Sequence, residues 1–337
     1  MTTIKMVAKR AGVSTATVSR ALSAPDLVVP ETRARVQSAV EALGYAPNSA
    51  AKSLRTLKTW KIMMMVPDVA NPFFSEVLRG AEDAAQLAGY SVLLGDTRDD
   101  KTREAQYASI LLRKEADGLI FLGHRMAPTL TKIVREKGAR APIVNACDFS
   151  AQHGVCAAHI DNAKAASEAM SLLYSMGHRR VAAIAGPPDS HITRDRLAGA
   201  RARADAAGLG DALTVVHTDY TIEAGLAETT RLLSQEVPPT AVFCFSDEIA
   251  VGAVSACRAC GVRCPADLSI VGFDDIRYAR FLDPPLTTVR QPMNLIGQTA
   301  VRLLLGILEG DVQVVEDVTL PHDLVVRAST GPAPRRA

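Results

Sequence analysis

Three side chains on one short stretch, Thr15, Ala16 and Arg20 in STATVSRAL, have the types and spacing to read base-pair edges. An arginine can reach both acceptors of guanine with its fork of donors, and a threonine or alanine methyl can meet the methyl of thymine. On the same stretch Ser14, Thr17 and Ser19 offer hydroxyls to phosphate oxygens. A second set follows successive β-rich runs. Asp68, Asn71, Phe73 and Phe74 come after IMMMV, and Arg196 after VAAIAG and its loop; Tyr220 follows a later run, Asp247 follows AVFCFS, and Asp274 follows LSIVGF. Rings stack and carboxylates accept hydroxyl protons, so this set suits a hydroxylated ring or a base joined to a sugar. Each residue alone has a plainer reading: Arg20 as a solvated charge, Phe73 and Phe74 as core, a strand-end Asp as a helix cap. Their recurrence at successive strand ends is the stronger signal.

The first set needs a helix that projects from a small core. Ile4, Val7, Ala8 and Ala11 recur at helical spacing before Gly12, which tolerates positive φ and ends a first helix. Val13 plugs the turn, and Ser14 can cap a second helix from Thr15 to Leu22 that turns Val18, Ala21 and Leu22 inward. A third helix begins at Pro30 and carries Val36, Ala39, Val40 and Leu43 to a stop at Gly44. Two helices joined by a three-residue turn containing glycine form a helix-turn-helix, whose second helix enters a major groove.

Charge supports that reading. Residues 1–61 hold ten Lys and Arg against three acids, a charge of +7, while the remainder carries 28 basic and 33 acidic residues, or −5. The near-neutral total of +2 hides a basic head on a mildly acidic body, and phosphate backbones attract such a head. Between the two lies YAPNSAAKSLRTLKTW. Pro47 and Asn48 can open a helix from Ser49 to Arg55, too short to hold alone in water. Folding on DNA would place Leu54 as a wedge in a minor-groove step and Lys52 or Arg55 on phosphates; Tyr45 and Asn48 are counted with these DNA-binding residues. The alternative is a plain linker with Leu54 packed on the body.

The second set needs parallel sheets. From Lys61 onward the runs IMMMV, SVLLGD, GLIFLG, PIVNAC, VAAIAG, AVFCFSD and LSIVGFDD alternate with amphipathic stretches, enough for two doubly wound α/β lobes, one starting near Lys61 and one near Asn162. A length of 337 residues allows two domains and an appendage. Ligands of such sheets sit outside the carboxyl ends of the strands. The chain has no phosphate loop, no G-x-G-x-x-G after its first strand, no nucleophile elbow and no H-E-x-x-H, so enzyme readings find little support. Cys257, Cys260 and Cys264 are spaced as C-x-x-C-x-x-x-C, but with no evident fourth ligand they read as thiols rather than as a metal site. Neither a membrane-length apolar run nor a secretory leader is visible, and the expectation is a cytoplasmic protein that needs no cofactor.

The ordered segments TIKMVAKRAGVSTATVSRAL, ETRARVQSAVEALGYAPNSAAKSL, RVAAIAGPP, PPTAVFCFSDEIAVGA, DLSIVGFDDI and PPLTTVRQP resemble the lactose-repressor family of bacterial transcription regulators along essentially the whole chain. VPDVANPFFSEVLRGAE, HIDN and FLDPPLTTVRQP are most similar to the branch that responds to cytidine and regulates nucleoside uptake and catabolism. The resemblance implies a homodimer on a pseudo-palindromic DNA operator and a periplasmic-binding-protein-like body closing on a small effector. It puts base readout on Thr15, Ala16 and Arg20, the minor-groove lever on Leu54, and effector contacts on Phe73, Phe74, Arg196, Tyr220, Asp247 and Asp274, with Asp161 of HIDN a further one. The domains it implies are residues 1–46, a hinge and linker over 47–59, and a body over 60–337. The body's lobes span about 60–161 with 291–322, and about 162–290 with 323–330. Two departures concern local helix starts: Met6 replaces the family's usual Asp, and Val29 a common capping Ser before Pro30. The loop DSHITRDR lacks the spacing associated with purine recognition, which favours a pyrimidine nucleoside; a sugar effector in the same family and a transport receptor are the rival readings.

Overall fold

The computed structural model describes residues 2–46, 56–148, 150–311 and 314–334. It divides into two units, Met1–Thr59 and Trp60–Ala337. Pro47, Asn48, Lys52, Leu54 and Arg55, with the short helix expected there, lie outside the described residues.

The first unit is three helices around one core. Helix α1 (Ile4–Ala11) stops at Gly12, whose φ of 67° lies in the left-handed region and lets its N–H return to Ala8 O. Ser14 then opens α2 (Thr15–Ser23) by accepting the Thr17 N–H. Helix α3 (Pro30–Leu43) starts on a proline and ends at Gly44, also left-handed. Neither α1 nor α3 has a side-chain N-cap, in keeping with the departures near Met6 and at Val29. Val7, Ala8, Ala11, Val18, Ala21, Val36 and Ala39 are buried together, with Ile4, Val13, Leu22, Val28, Val40, Leu43 and Tyr45 packed around them.

The second unit holds two six-stranded sheets. The first combines β1 (Lys61–Val66), β2 (Ser91–Asp96), β3 (Gly118–Phe121), β4 (Ile143–Ala146), β5 (Cys156–Ile160) and β11 (Asp317–Leu320) in the order β11-β5-β4-β3-β1-β2. The second combines β6 (Val181–Ala185), β7 (Leu213–His217), β8 (Ala241–Cys244), β9 (Ser269–Asp274), β10 (Thr287–Arg290) and β12 (Asp323–Val325) in the order β12-β10-β9-β8-β6-β7. All pairings are parallel except β10 with β12.

Helices cover both faces of each sheet, which is why the strands read as continuous apolar runs. Along β1, Ile62, Met64 and Val66 enter one apolar cluster and Met63 and Met65 the opposite one, the period of two that a strand imposes. Helices α4 (Pro72–Leu87), α5 (Lys101–Leu112), α6 (Pro128–Lys137) and α11 (Met293–Glu309) belong to the first sheet. Helices α7 (Asn162–Ser175), α8 (His191–Ala206), α9 (Ile222–Leu233) and α10 (Asp247–Ala259) belong to the second. The chain crosses between sheets three times: after Ile160, after Arg290 and after Leu320. Among the described residues no helix is long and apolar enough to cross a membrane.

Candidate functional site

In the first unit α2 presents Thr15, Ala16 and Arg20 to solvent while Val18, on its opposite face, is wholly buried. The cap that starts this helix determines which residues these are, because it sets where the helical phase begins. Ser14 and Thr17, expected on phosphates, turn their hydroxyls to each other at 2.9 Å, and Ser14 Oγ also accepts the Thr17 N–H at 3.1 Å. Both are therefore engaged in starting the helix. Ser19 is half-buried beside them. Tyr45 is half-buried too, its side chain packed on the apolar core of the head.

In the second unit a cavity of about 690 Å³ opens between the two sheets, lined from the carboxyl ends of strands in both. Phe73 and Phe74 enter it from the start of α4, edge to face with centroids 5.2 Å apart. Asn71 brings them there: its Oδ1 caps α4 through the Phe73 N–H, and its Nδ2 donates to Glu248 Oε2 of the other lobe at 3.3 Å. Opposite stands Tyr220, whose hydroxyl meets Thr193 Oγ1 at 2.7 Å. Its ring lies so close to Gly186 that a Cβ there would sit 2.2 Å from it. Burial pushes the Tyr220 phenol up to about 12, so it remains a neutral hydrogen-bonding group.

The polar floor is a network around Arg196, which is 3% exposed. Its Nε donates to Asn162 Oδ1 at 2.8 Å, one terminal nitrogen donates to Phe245 O, and the guanidinium lies 3.5 Å from the Phe273 ring centroid. Asp274 is held by Gln291, whose Nε2 donates to its Oδ1 at 2.7 Å and whose backbone N–H donates to its carbonyl at 3.2 Å. With φ at 119°, Asp274 adopts a strained backbone for a non-glycine residue, and Asp275 follows at 58°. Burial raises the Asp274 carboxyl to about 6 against the opposing pull of Arg196. Since Gln291 lies where the chain crosses between sheets, the floor is tied directly to a crossover.

Two expected contacts fall elsewhere. Asp247 is fully buried beneath the floor, where it accepts Thr288 Oγ1–H at 2.6 Å and the Ile276 N–H at 2.8 Å; it shapes the Asp274 loop and does not line the cavity. Asp161 is exposed and caps α7 through the Lys164 N–H at 2.9 Å, so the group in HIDN that reaches the floor is its neighbour Asn162, through Arg196. Asp148 and Gln291 were missed, although Asp148 follows the run PIVNAC as the strand-end rule requires. Asp148 reaches the other lobe, accepting the Ile192 N–H at 3.2 Å and the Ser190 hydroxyl at 3.3 Å, and burial lifts its carboxyl to about 7.

Of the three spaced cysteines, Cys257 is buried in α10, Cys260 is exposed and Cys264 donates toward Ser329 O. Among the described residues no cluster of His, Cys, Asp or Glu is arranged to hold a metal ion.

Comparison with known proteins matches the head and the body separately. Residues 3–48 match the model of bacterial regulatory proteins of the lacI family, and residues 170–330 that of a periplasmic binding protein-like domain. The HTH-type transcriptional repressor CytR of Escherichia coli K12 is 39% identical over 98% of this chain and 97% of that protein. The chain belongs to the lacI family. Among solved structures, the lac repressor dimer bound to operator and the anti-inducer ONPF is 28% identical, with a TM-score of 0.88 over 98% of this chain and 99% of that one. A lacI-family regulator from Enterococcus faecium with bound ribose is also 28% identical, with a TM-score of 0.73 over 81% and 99%. As a lacI-family transcriptional regulator, the chain thus pairs a helix-turn-helix head with a two-lobed body.

Proposed function

We propose that this regulator is a cytoplasmic, homodimeric repressor that binds a DNA operator through α2 and leaves it when a nucleoside such as cytidine occupies the cavity. It works by binding and catalyses no reaction. The observation that carries the reading is the cavity's pairing of aromatic walls, Phe73, Phe74 and Tyr220, with a polar floor of Arg196, Asp274 and Gln291. A base needs the first and ribose hydroxyls need the second.

On DNA, Arg20 pairs with guanine and Thr15 and Ala16 meet neighbouring bases, with two heads at matched half-sites. Residues 47–59 act as hinge and linker, with Leu54 in the minor groove and Tyr45, Asn48, Lys52 and Arg55 adding contacts. Ligand shifts a population between two lobe angles, and each tenfold loss of operator affinity requires about 1.4 kcal/mol of preference for the non-DNA state. The same polar floor would hold a free sugar, which is the second reading. Fluorescence anisotropy of labelled upstream DNA with the full-length protein tests the first: cytidine lowers the anisotropy, and indifference to every nucleoside would sink the nucleoside effector. Thermal-shift screening of sugars beside nucleosides separates the two readings.

A further inference from the structure

We infer that the cavity admits its effector only in unphosphorylated form and rejects the corresponding phosphate ester. This rests on the small-effector reading of the same site and narrows the chemistry of what enters it.

Phosphate binding in α/β folds relies on two devices, the free N–H groups at helix N-termini and uncommitted cationic side chains. The N-caps of four helices, Asn71, Ser190, Thr221 and Ser246, all line the cavity, so four positive helix ends converge on it. Each end already has a partner. Asn71, Ser190, Thr221 and Ser246 accept N–H groups of their own first turns. At α8 the carboxylate of Asp148, from the opposite lobe, accepts the Ile192 N–H. Helix α10 carries Glu248 in its first turn and α9 carries Glu223, so their dipoles are answered by their own acids.

The side chains are equally unfavourable to an anion. Asp68, Asp96, Asp99, Asp148, Asp219 and Asp274 line the cavity, against Arg98, Arg196 and one histidine, His124. Arg98 donates through Nε to Asp96 at 2.9 Å, Arg196 is committed to Asn162 and Phe245, and His124 stands 3.6 Å from Asp189. An incoming phosphate would meet more negative charge than positive, beside arginines that already share their charge with Asp96 and with the floor. Neutral hydroxyls and ring edges pay no such penalty.

The experiment is calorimetric titration of the full-length protein with matched pairs: cytidine and cytidine 5′-monophosphate, ribose and ribose 5-phosphate, each at pH 8 and pH 6. The neutral member binds and its phosphate binds at least about 100-fold more weakly at pH 8. The gap narrows at pH 6, because Asp148 near 7 and Asp274 near 6 take up protons while the ester itself gains one near 6, and both changes relieve the repulsion. In the double variant Asp99→Asn, Asp219→Asn the gap closes by about tenfold, the neutral ligand serving as internal control. A phosphate that binds as tightly as its neutral partner at pH 8, or a gap unmoved by the double variant, overturns the inference. Failure of all four ligands removes the nucleoside and sugar effectors and the inference with them, whereas equal binding within a pair overturns the inference alone, so the two failures are distinguishable.

Discussion

The head and the body use opposite strategies to display function. In the head, Thr15, Ala16 and Arg20 are exposed on a nine-residue helix, and their direction follows from one cap, one glycine and one buried valine within the same stretch. In the body, Phe73, Asp148, Arg196, Tyr220, Asp274 and Gln291 come from strand ends and crossovers spread over more than two hundred residues, and several are buried within a hydrogen-bonded network. A site made by local rules tolerates loss of one side chain. A site made by a network does not, because each removal strands a buried partner.

The largest effect expected from that contrast is at Arg196. Arg196→Ala leaves Asn162 Oδ1 and Phe245 O without their donor and Asp274 without its nearby cation, and should cost about 3–5 kcal/mol of body stability together with effector response. Chemical denaturation with effector titration measures both; a stable, responsive variant would show that the floor is not one network. Next comes Arg20→Ala, expected to weaken operator binding by about 10–100-fold with unchanged melting and unchanged effector affinity. Coupled losses in this variant would blur the separation between head and body.

Asp148→Asn probes the cleft through pH. The carboxyl sits near 7 when folded, against about 4 when unfolded. The folded chain therefore holds a proton that the unfolded chain releases, and this contribution to stability, present in acid, is lost as pH rises through 7. The asparagine does not titrate. Its melting temperature should accordingly gain on the native protein by several degrees between pH 5 and pH 8; a pH-independent difference would mean that Asp148 is ionised throughout. His153, pushed down to about 4 by burial and by His191 and His124, acts in the opposite direction below about 6.5, but it is common to both proteins and cancels. The smallest effect is at Asp161, where alanine should cost about 1 kcal/mol as a lost cap and leave effector affinity untouched, which titration of the variant would reveal.

Much of the architecture was legible because it depends on neighbours in sequence. Gly12 and Gly44 mark helix ends where positive φ is needed, and Pro30 marks a helix start. The runs IMMMV and LSIVGF are buried strands because both their faces are covered. The strand-end rule also brought Phe73, Phe74, Arg196, Tyr220 and Asp274 to one cavity. It stumbled at Asp247, which closely resembles Asp274 as a carboxylate following an apolar run. The two part company only through packing: Gly272 leaves room beneath β9 for the Asp247 carboxylate, whose Oδ1 lies 2.2 Å from where a Cβ would stand, and Thr288 on β10 supplies its donor. In HIDN the choice between Asp161 and Asn162 likewise turned on Arg196, thirty-four residues away.

Local order in this protein, meaning helix caps, turns, strand runs and the charge contrast between head and body, is written in residues a few positions apart, because steric and capping preferences act over one turn or one pleat. Which carboxylates face the cavity, which cap a helix and which join the lobes was settled by contacts between distant segments. Burial converts such contacts into large differences in hydration and hydrogen bonding that no short window of residues contains.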